Sequence, residues 1–147
     1  MAEKYRKKKL FKVKDWTELS AQSSWRMFKI MAEFVDGFET MDKIGPCVSI
    51  YGSARTKPDH KYYKLSEQIA AKLVHEGFGI ITGGGPGIME AANRGAKDVG
   101  GKSVGCNILL EHEQQPNKYL DKWVNIKFFF VRKTLLHLEA WKHTLNL

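Results

Sequence analysis

Gly83-Gly84-Gly85-Pro86-Gly87-Ile88-Met89-Glu90-Ala91-Ala92-Asn93-Arg94-Gly95-Ala96 follows the apolar run Gly77-Phe78-Gly79-Ile80-Ile81-Thr82 and opens a series of good helix formers. That order predicts a strand, a glycine turn and a helix. Three consecutive glycines let the backbone approach a ligand with no side chain between them. Pro86 suits a first helical turn, where its missing N–H costs nothing. The free N–H groups of that turn, with the helix dipole behind them, form a site for an anion such as phosphate. Gly83, Gly84, Gly85 and Gly87 are therefore candidate ligand-binding residues of a nucleotide or sugar-phosphate site.

The turn is not a P-loop, because Ile88-Met89-Glu90 stands where that motif needs a lysine and a hydroxyl. It is a partial dinucleotide fingerprint. Aligning Gly85 and Gly87 puts Glu90 in place of the third glycine, where its charge would repel a pyrophosphate. Glu111 lies roughly 20 residues on, the distance at which an acidic residue meets a ribose hydroxyl. A nicotinamide-binding domain thus stays open.

Outward from the turn, apolar runs alternate with helical patterns. Strands are predicted at Cys47–Tyr51, Phe78–Thr82, Ser103–Leu109 and Trp123–Phe130, the last buried on most sides. Helices are predicted at Asp15–Met41, at Asp59–Glu76 with a stripe of Leu65, Ile69 and Leu73, and at Pro86–Val99. In the first helix Trp16, Leu19, Trp25, Phe28, Ala32, Val35 and Phe38 recur at helical spacing. Two partners fit that stripe, the domain's own sheet or a second subunit. Alternation of this kind gives an α/β fold with a mostly parallel sheet, preceded by an N-terminal helix. All strand ends then face one crevice, which collects Gly52, Ser53, the glycine turn, Glu90, Asn107 and Arg132. Ser53 is a candidate partner for a phosphate or ribose oxygen. The polar stretch Glu111–Asp121 reads as a loop over the site.

The 147 residues suffice for one domain with a core, assigned to 15–147. Net charge is +8, but residues 1–14 carry +6 of it as a basic arm. The body is nearly neutral, which argues against a nucleic-acid groove and leaves the arm as the one candidate for RNA or an anionic surface. No apolar run reaches the length of about 18 residues that a membrane span needs, and the N-terminus lacks a secretory signal, so a cytoplasmic location is expected. Cys47 and Cys106 sit in separate apolar runs and read as buried, reduced thiols. The five histidines have no metal-ligand spacing, so no metal is expected.

Arg132 and Lys133 fall near the start of a helix after the fourth strand. Two cations there oppose the helix dipole, and an anionic substrate would relieve the conflict. Arg132 can grip a phosphate with two parallel bonds, which Lys133 cannot.

The long match at GGGPGIMEAANRGA resembles the first signature of the Lonely Guy (LOG) family, often labelled "lysine decarboxylase-like". The similarity extends to Ser24–Phe34, Tyr51–Arg55 and Phe129–Lys133, most of the chain from about Ser24 to Lys133. The resemblance implies a Rossmann-like three-layer αβα fold. It implies a phosphoribohydrolase that splits the N-glycosidic bond of AMP or a cytokinin riboside 5′-monophosphate into free base and ribose 5-phosphate. It further implies no cofactor and a homodimer or higher homo-oligomer. Arg132 takes the place of the family's active-site arginine, and Lys133 that of the lysine beside it. A second family signature, P-G-G-x-G-T-x-x-E, carries the main carboxylate and has no counterpart here. The chain is expected to be shortened relative to the family, which leaves Glu90 as the candidate carboxylate for the developing ribose cation. Two readings stay open beside the nicotinamide one: a phosphoribohydrolase, and a nucleotide-binding module without catalysis. The pyridoxal chemistry suggested by the family's older label needs a Schiff-base lysine, and no lysine is singled out.

Overall fold

A computed structural model describes residues 13–109 and 115–142, with side chains placed for 20–109 and 115–138. Four short strands, β1 (Cys47–Ile50), β2 (Gly79–Thr82), β3 (Ser103–Ile108) and β4 (Lys122–Ile126), form one sheet in the order β1-β2-β3-β4. Every neighbouring pair is parallel, with Val48 opposite Ile80, Ile81 opposite Val104 and Cys106 opposite Val124. Helices α1 (Val13–Met41), α2 (Lys61–His75), α3 (Ile88–Asp98) and α4 (Phe129–Lys142) cover it. The Rossmann-like αβα architecture expected from the sequence is the one observed.

Successive strand residues point to opposite faces, so each strand feeds two cores. Ile80 meets Ala70, Ala92 and Ala96 of α2 and α3. Ile81, Val104, Cys106, Val124 and Ile126 meet Met41 at the end of α1 and Val131, Leu135 and Leu136 of α4. Small residues set the spacing of the first layer. A side chain on Gly95 of α3 would collide with the Glu67 backbone of α2, so the two helices touch at their backbones. This is why Tyr63, Ser66 and Ala70 form the buried stripe of α2, while the predicted Leu65 and Ile69 are exposed.

Two further expectations are corrected, and a third falls mostly outside the described residues. The α1 face toward the sheet is made by Ile30, Phe34 and Met41, whereas Trp25, Phe28 and Val35 are exposed; the side chains of Trp16 and Leu19 lie outside the described residues. Of the basic arm, residues 1–12 lie outside the described residues, and Val13 and Lys14 already belong to α1. The fourth strand stops at Ile126, with only Val124 and Ile126 buried, and Phe129 and Phe130 begin α4 instead.

A carboxylate from another part of the chain sets that last boundary. Glu33 of α1 accepts the backbone N–H of Lys127 at 2.9 Å and that of Phe128 at 3.1 Å. It thereby caps α4 and places negative charge at the positive end of its dipole, offsetting Arg132 and Lys133 in the first turns. Glu33→Ala is expected to cost about 1.5 kcal/mol and lower the melting temperature by roughly 3–6 °C. Glu33→Gln, which keeps one acceptor, should fall between. Thermal unfolding followed by circular dichroism checks both. No helix among the described residues is long and apolar enough to cross a membrane.

Candidate functional site

The glycine turn lies at the carboxyl end of β2, and its shape is set by two left-handed backbones, Gly84 (φ 74°) and Gly87 (φ 73°). Gly87 is the N-cap of α3, with ψ −128°, and offers no side-chain cap. The first intrahelical bond runs from Ala91 N–H to the Gly87 carbonyl at 2.9 Å. The N–H groups of Met89 and Glu90, which precede it in the chain, are thus open to an anion.

A buried polar lattice holds the turn from below. Thr82 Oγ1 donates to Asn93 Oδ1 at 2.6 Å and accepts the Gly84 N–H at 2.9 Å. Asn93 Nδ2 donates to Ser103 Oγ at 2.9 Å. Asn117, from the connection between β3 and β4, grips the turn from the side. Its backbone N–H reaches the Gly84 carbonyl at 2.9 Å, and its side-chain Nδ2 faces the Gly84 and Gly85 carbonyls and Asn93 Oδ1 at 3.0–3.3 Å. Buried polar groups that satisfy one another in this way fix a single conformation. Sequence reasoning missed all of these residues except for placing Asn117 in a polar loop. The available signal was Asn93, a polar side chain on the buried face of a helix.

The β1–α2 loop locks against the same turn. The Ser53 carbonyl accepts the Ile88 N–H at 3.1 Å. A Cβ on Gly52 would overlap the Ile88 side chain, and one on Gly87 would overlap the Ser53 carbonyl oxygen. Gly52 and Gly87 therefore serve loop-to-loop contact. Ser53 Oγ accepts the Arg55 N–H at 3.2 Å, which makes it a turn serine whose hydroxyl proton is still available.

Arg132 lies directly beneath the turn. Its Nε donates to the Cys106 carbonyl at 2.7 Å and its Nη2 to the Gly83 carbonyl at 3.3 Å, so one guanidinium bridges the carboxyl ends of β3 and β2. A Cβ on Gly83 would collide with that guanidinium. Among the described residues Arg132 forms no ion pair, so its charge stays uncompensated at the turn. The sequence assigned Arg132 to a ligand alone; the structure adds the joining of two strand ends. Burial pushes the adjacent Cys106 thiol up to about 12, with Arg132 pulling the other way, so it stays neutral near pH 7. Lys133 is exposed. With Arg132, Tyr51, Phe129 and Leu136 it lines a cavity of about 330 Å³.

Two predicted residues stand apart from this cluster. Glu90 turns toward α2, where its Oε1 accepts the Tyr63 hydroxyl at 3.3 Å. Burial first, and then the Glu90 charge, push that phenol to about 12. No contact joins Glu90 to Arg132 among the described residues. Asn107 is buried, and its Nδ2 donates to Asn125 Oδ1 on β4 at 3.2 Å. It braces the sheet beneath Gly84. Glu111 lies outside the described residues.

The family model described as the SLOG cluster4 family matches residues 46–130, a span that includes the glycine turn and both loops packed on it. No curated protein matches the chain. Similar solved structures include the following two. The X-ray structure of TM1055, a structural-genomics target, is 20% identical with a TM-score of 0.46, covering 66% of this chain and 67% of its own. The molybdenum cofactor carrier protein MCP from Chlamydomonas reinhardtii is 18% identical with a TM-score of 0.47, covering 67% of this chain and 72% of its own. With a family match over more than half its length, and the glycine turn inside that match, this chain belongs to the SLOG cluster4 family, a LOG-like Rossmann group.

Proposed function

We propose that the crevice binds a nucleoside 5′-monophosphate, AMP or a cytokinin riboside monophosphate, with the phosphate on the glycine turn. The observation that carries this reading is the guanidinium of Arg132, which forms no ion pair among the described residues, held under Gly83 beside the open N–H groups at the start of α3. Charge and helix dipole there favour the same ligand sign. Lys133 and the aromatic rings of Tyr51 and Phe129 line the adjoining cavity, which suits a base and ribose.

Hydrolysis of the N-glycosidic bond is the second reading, and Glu90 is the observation that favours it. Its carboxylate belongs to the first turn of α3, next to the proposed phosphate site, and it would serve the ribose cation after leaving Tyr63. A dinucleotide is disfavoured, because Glu90 occupies the third-glycine place.

A ligand bound only to the folded form raises its stability by about 2.7 kcal/mol at one hundred times its dissociation constant. AMP at that excess is expected to raise the melting temperature by roughly 5–10 °C, and NAD at equal concentration by much less. A flat AMP titration would remove the nucleotide reading. Release of ribose 5-phosphate from AMP, lost in Glu90→Gln, would establish hydrolysis; stabilisation without release would leave a binding module.

A further inference from the structure

We infer that Asn117 is a positioning residue of the anion site: it turns the Gly84–Gly85 peptide so that the Gly85 N–H, and not the Gly84 carbonyl, faces the incoming phosphate. The inference rests on the reading of the glycine turn as the phosphate site. A trans peptide points its C=O and N–H in opposite directions, so whatever holds one fixes the other. In the Gly83–Gly84 peptide both groups are met. The Gly83 carbonyl accepts from Arg132 Nη2, and the Gly84 N–H donates to Thr82 Oγ1. In the Gly84–Gly85 peptide only one is. The Gly84 carbonyl takes two donors from Asn117, its backbone N–H at 2.9 Å and its Nδ2 at 3.2 Å. The Gly85 N–H meets no acceptor among the described residues. Gly85 is buried, and a buried backbone donor left without an acceptor is costly until a ligand oxygen supplies one.

The turn cannot choose this orientation by itself. Neither Gly84 nor Gly85 has a Cβ to oppose rotation of the peptide between them. Rotated, that peptide would set a carbonyl oxygen against the anion. Asn117 is built to prevent this. Its Oδ1 accepts the Tyr119 N–H at 3.1 Å, which leaves Nδ2 aimed at the Gly84 carbonyl, the Gly85 carbonyl and Asn93 Oδ1 at 3.0–3.3 Å. Turned over, the same amide would place its oxygen against three oxygens, so only one orientation fits. With Arg132 on Gly83, each of the three successive glycine carbonyls is held by a donor. The groups left for a ligand are the N–H groups of Gly85, Met89 and Glu90, a concave set of donors of the kind that takes a phosphate.

Amide NMR on the full chain labelled with 15N-glycine tests this, with inorganic phosphate as the probe. Phosphate is expected to move the Gly85 resonance. Those of Gly77 and Gly100, whose N–H groups donate to the Val74 and Lys97 carbonyls, should stay in place. In Asn117→Ala the phosphate dissociation constant should rise about 10-fold, at a temperature where circular dichroism matches that of the unaltered chain. The residual dipolar coupling of the Gly85 N–H reads the direction of the bond. It should change in that variant without any ligand, a response that loss of stability alone does not produce. Asn117→Asp fills the same space and keeps the acceptor for Tyr119. Measured in about 1 M salt, which screens its charge, it should weaken phosphate binding as Asn117→Ala does, and it serves if Asn117→Ala fails to fold. A Gly85 amide that ignores phosphate overturns the proposal, as does a dissociation constant within about 2-fold of the unaltered chain's in both variants, or an unchanged Gly85 coupling. Phosphate that acts on Gly85 through Asn117, while AMP binds no tighter than phosphate, would uphold the proposal and remove the nucleotide reading.

Discussion

Gly87→Ala is expected to lower the melting temperature by roughly 6–12 °C, a loss of at least about 3 kcal/mol, and to abolish nucleotide-dependent stabilisation. Two costs combine at this position. The backbone at φ 73° and ψ −128° belongs to a region that residues with a Cβ rarely enter. The added methyl would also overlap the Ser53 carbonyl oxygen and come within 2.8 Å of the Ala54 carbonyl carbon and 2.9 Å of its Cα. These are backbone atoms with no rotamer to change, so the two loops must part. The bond from Ile88 N–H to the Ser53 carbonyl, 3.1 Å, goes with them, and so does the alignment of the α3 terminus. Gly77→Ala separates the two costs. Gly77 also has a positive φ, 91°, but open space surrounds its would-be side chain. That variant should lose only about 1 kcal/mol, or roughly 2–4 °C. Equal losses in the two variants would mean that the loop contact adds nothing.

Arg132→Ala is expected to act on stability and binding at once, and two measurements separate the effects. Without nucleotide, the Cys106 and Gly83 carbonyls lose charge-assisted donors at 2.7 and 3.3 Å, at a cost of about 1.5–3 kcal/mol. With nucleotide, the stabilisation produced by AMP should disappear, because the cation under the turn, which forms no ion pair among the described residues, is gone. Arg132→Lys retains the charge but cannot span two carbonyls with a planar fork. It should lose most of the structural contribution and keep part of the AMP response. An AMP shift that survives in Arg132→Ala would leave Arg132 as a strand clamp alone and move the anion site to the N–H groups of α3.

The layered architecture was legible because each strand and crossover helix is short, apolar and punctuated by glycine. The Gly83–Gly87 turn and the helix after it were legible for the same reason. Helix faces were not. Phe28 and Val35 share their spacing with the core-facing Ile30 and Phe34, and periodicity alone cannot tell a core stripe from an outward one. Backbone contact at Gly95 rotated the buried face of α2 away from Leu65 and Ile69, a packing effect that no local pattern records. Phe128-Phe129-Phe130 resembles a buried strand, yet Glu33, distant in sequence, starts a helix there. At the site, residue type singled out Arg132, and the structure places its guanidinium against the Gly83 and Cys106 carbonyls. Glu90 and Asn107 were assigned to the crevice from their chain positions, while their actual partners, Tyr63 and Asn125, come from other elements.

Glu33 has a consequence for how the molecule responds as a whole. Its carboxylate grips the backbone 94 residues further on, at the junction from which Arg132 projects one turn later. If α1 lifts from the sheet, the first turn of α4 frays, and the guanidinium that joins the ends of β2 and β3 loses its footing. Helix α1 and the glycine turn are therefore expected to open as one cooperative unit, with amide protons around Lys127 and Phe128 exchanging together with those of the turn. Through that single carboxylate, an event on the outer surface of α1 would change how firmly the crevice holds the proposed anion.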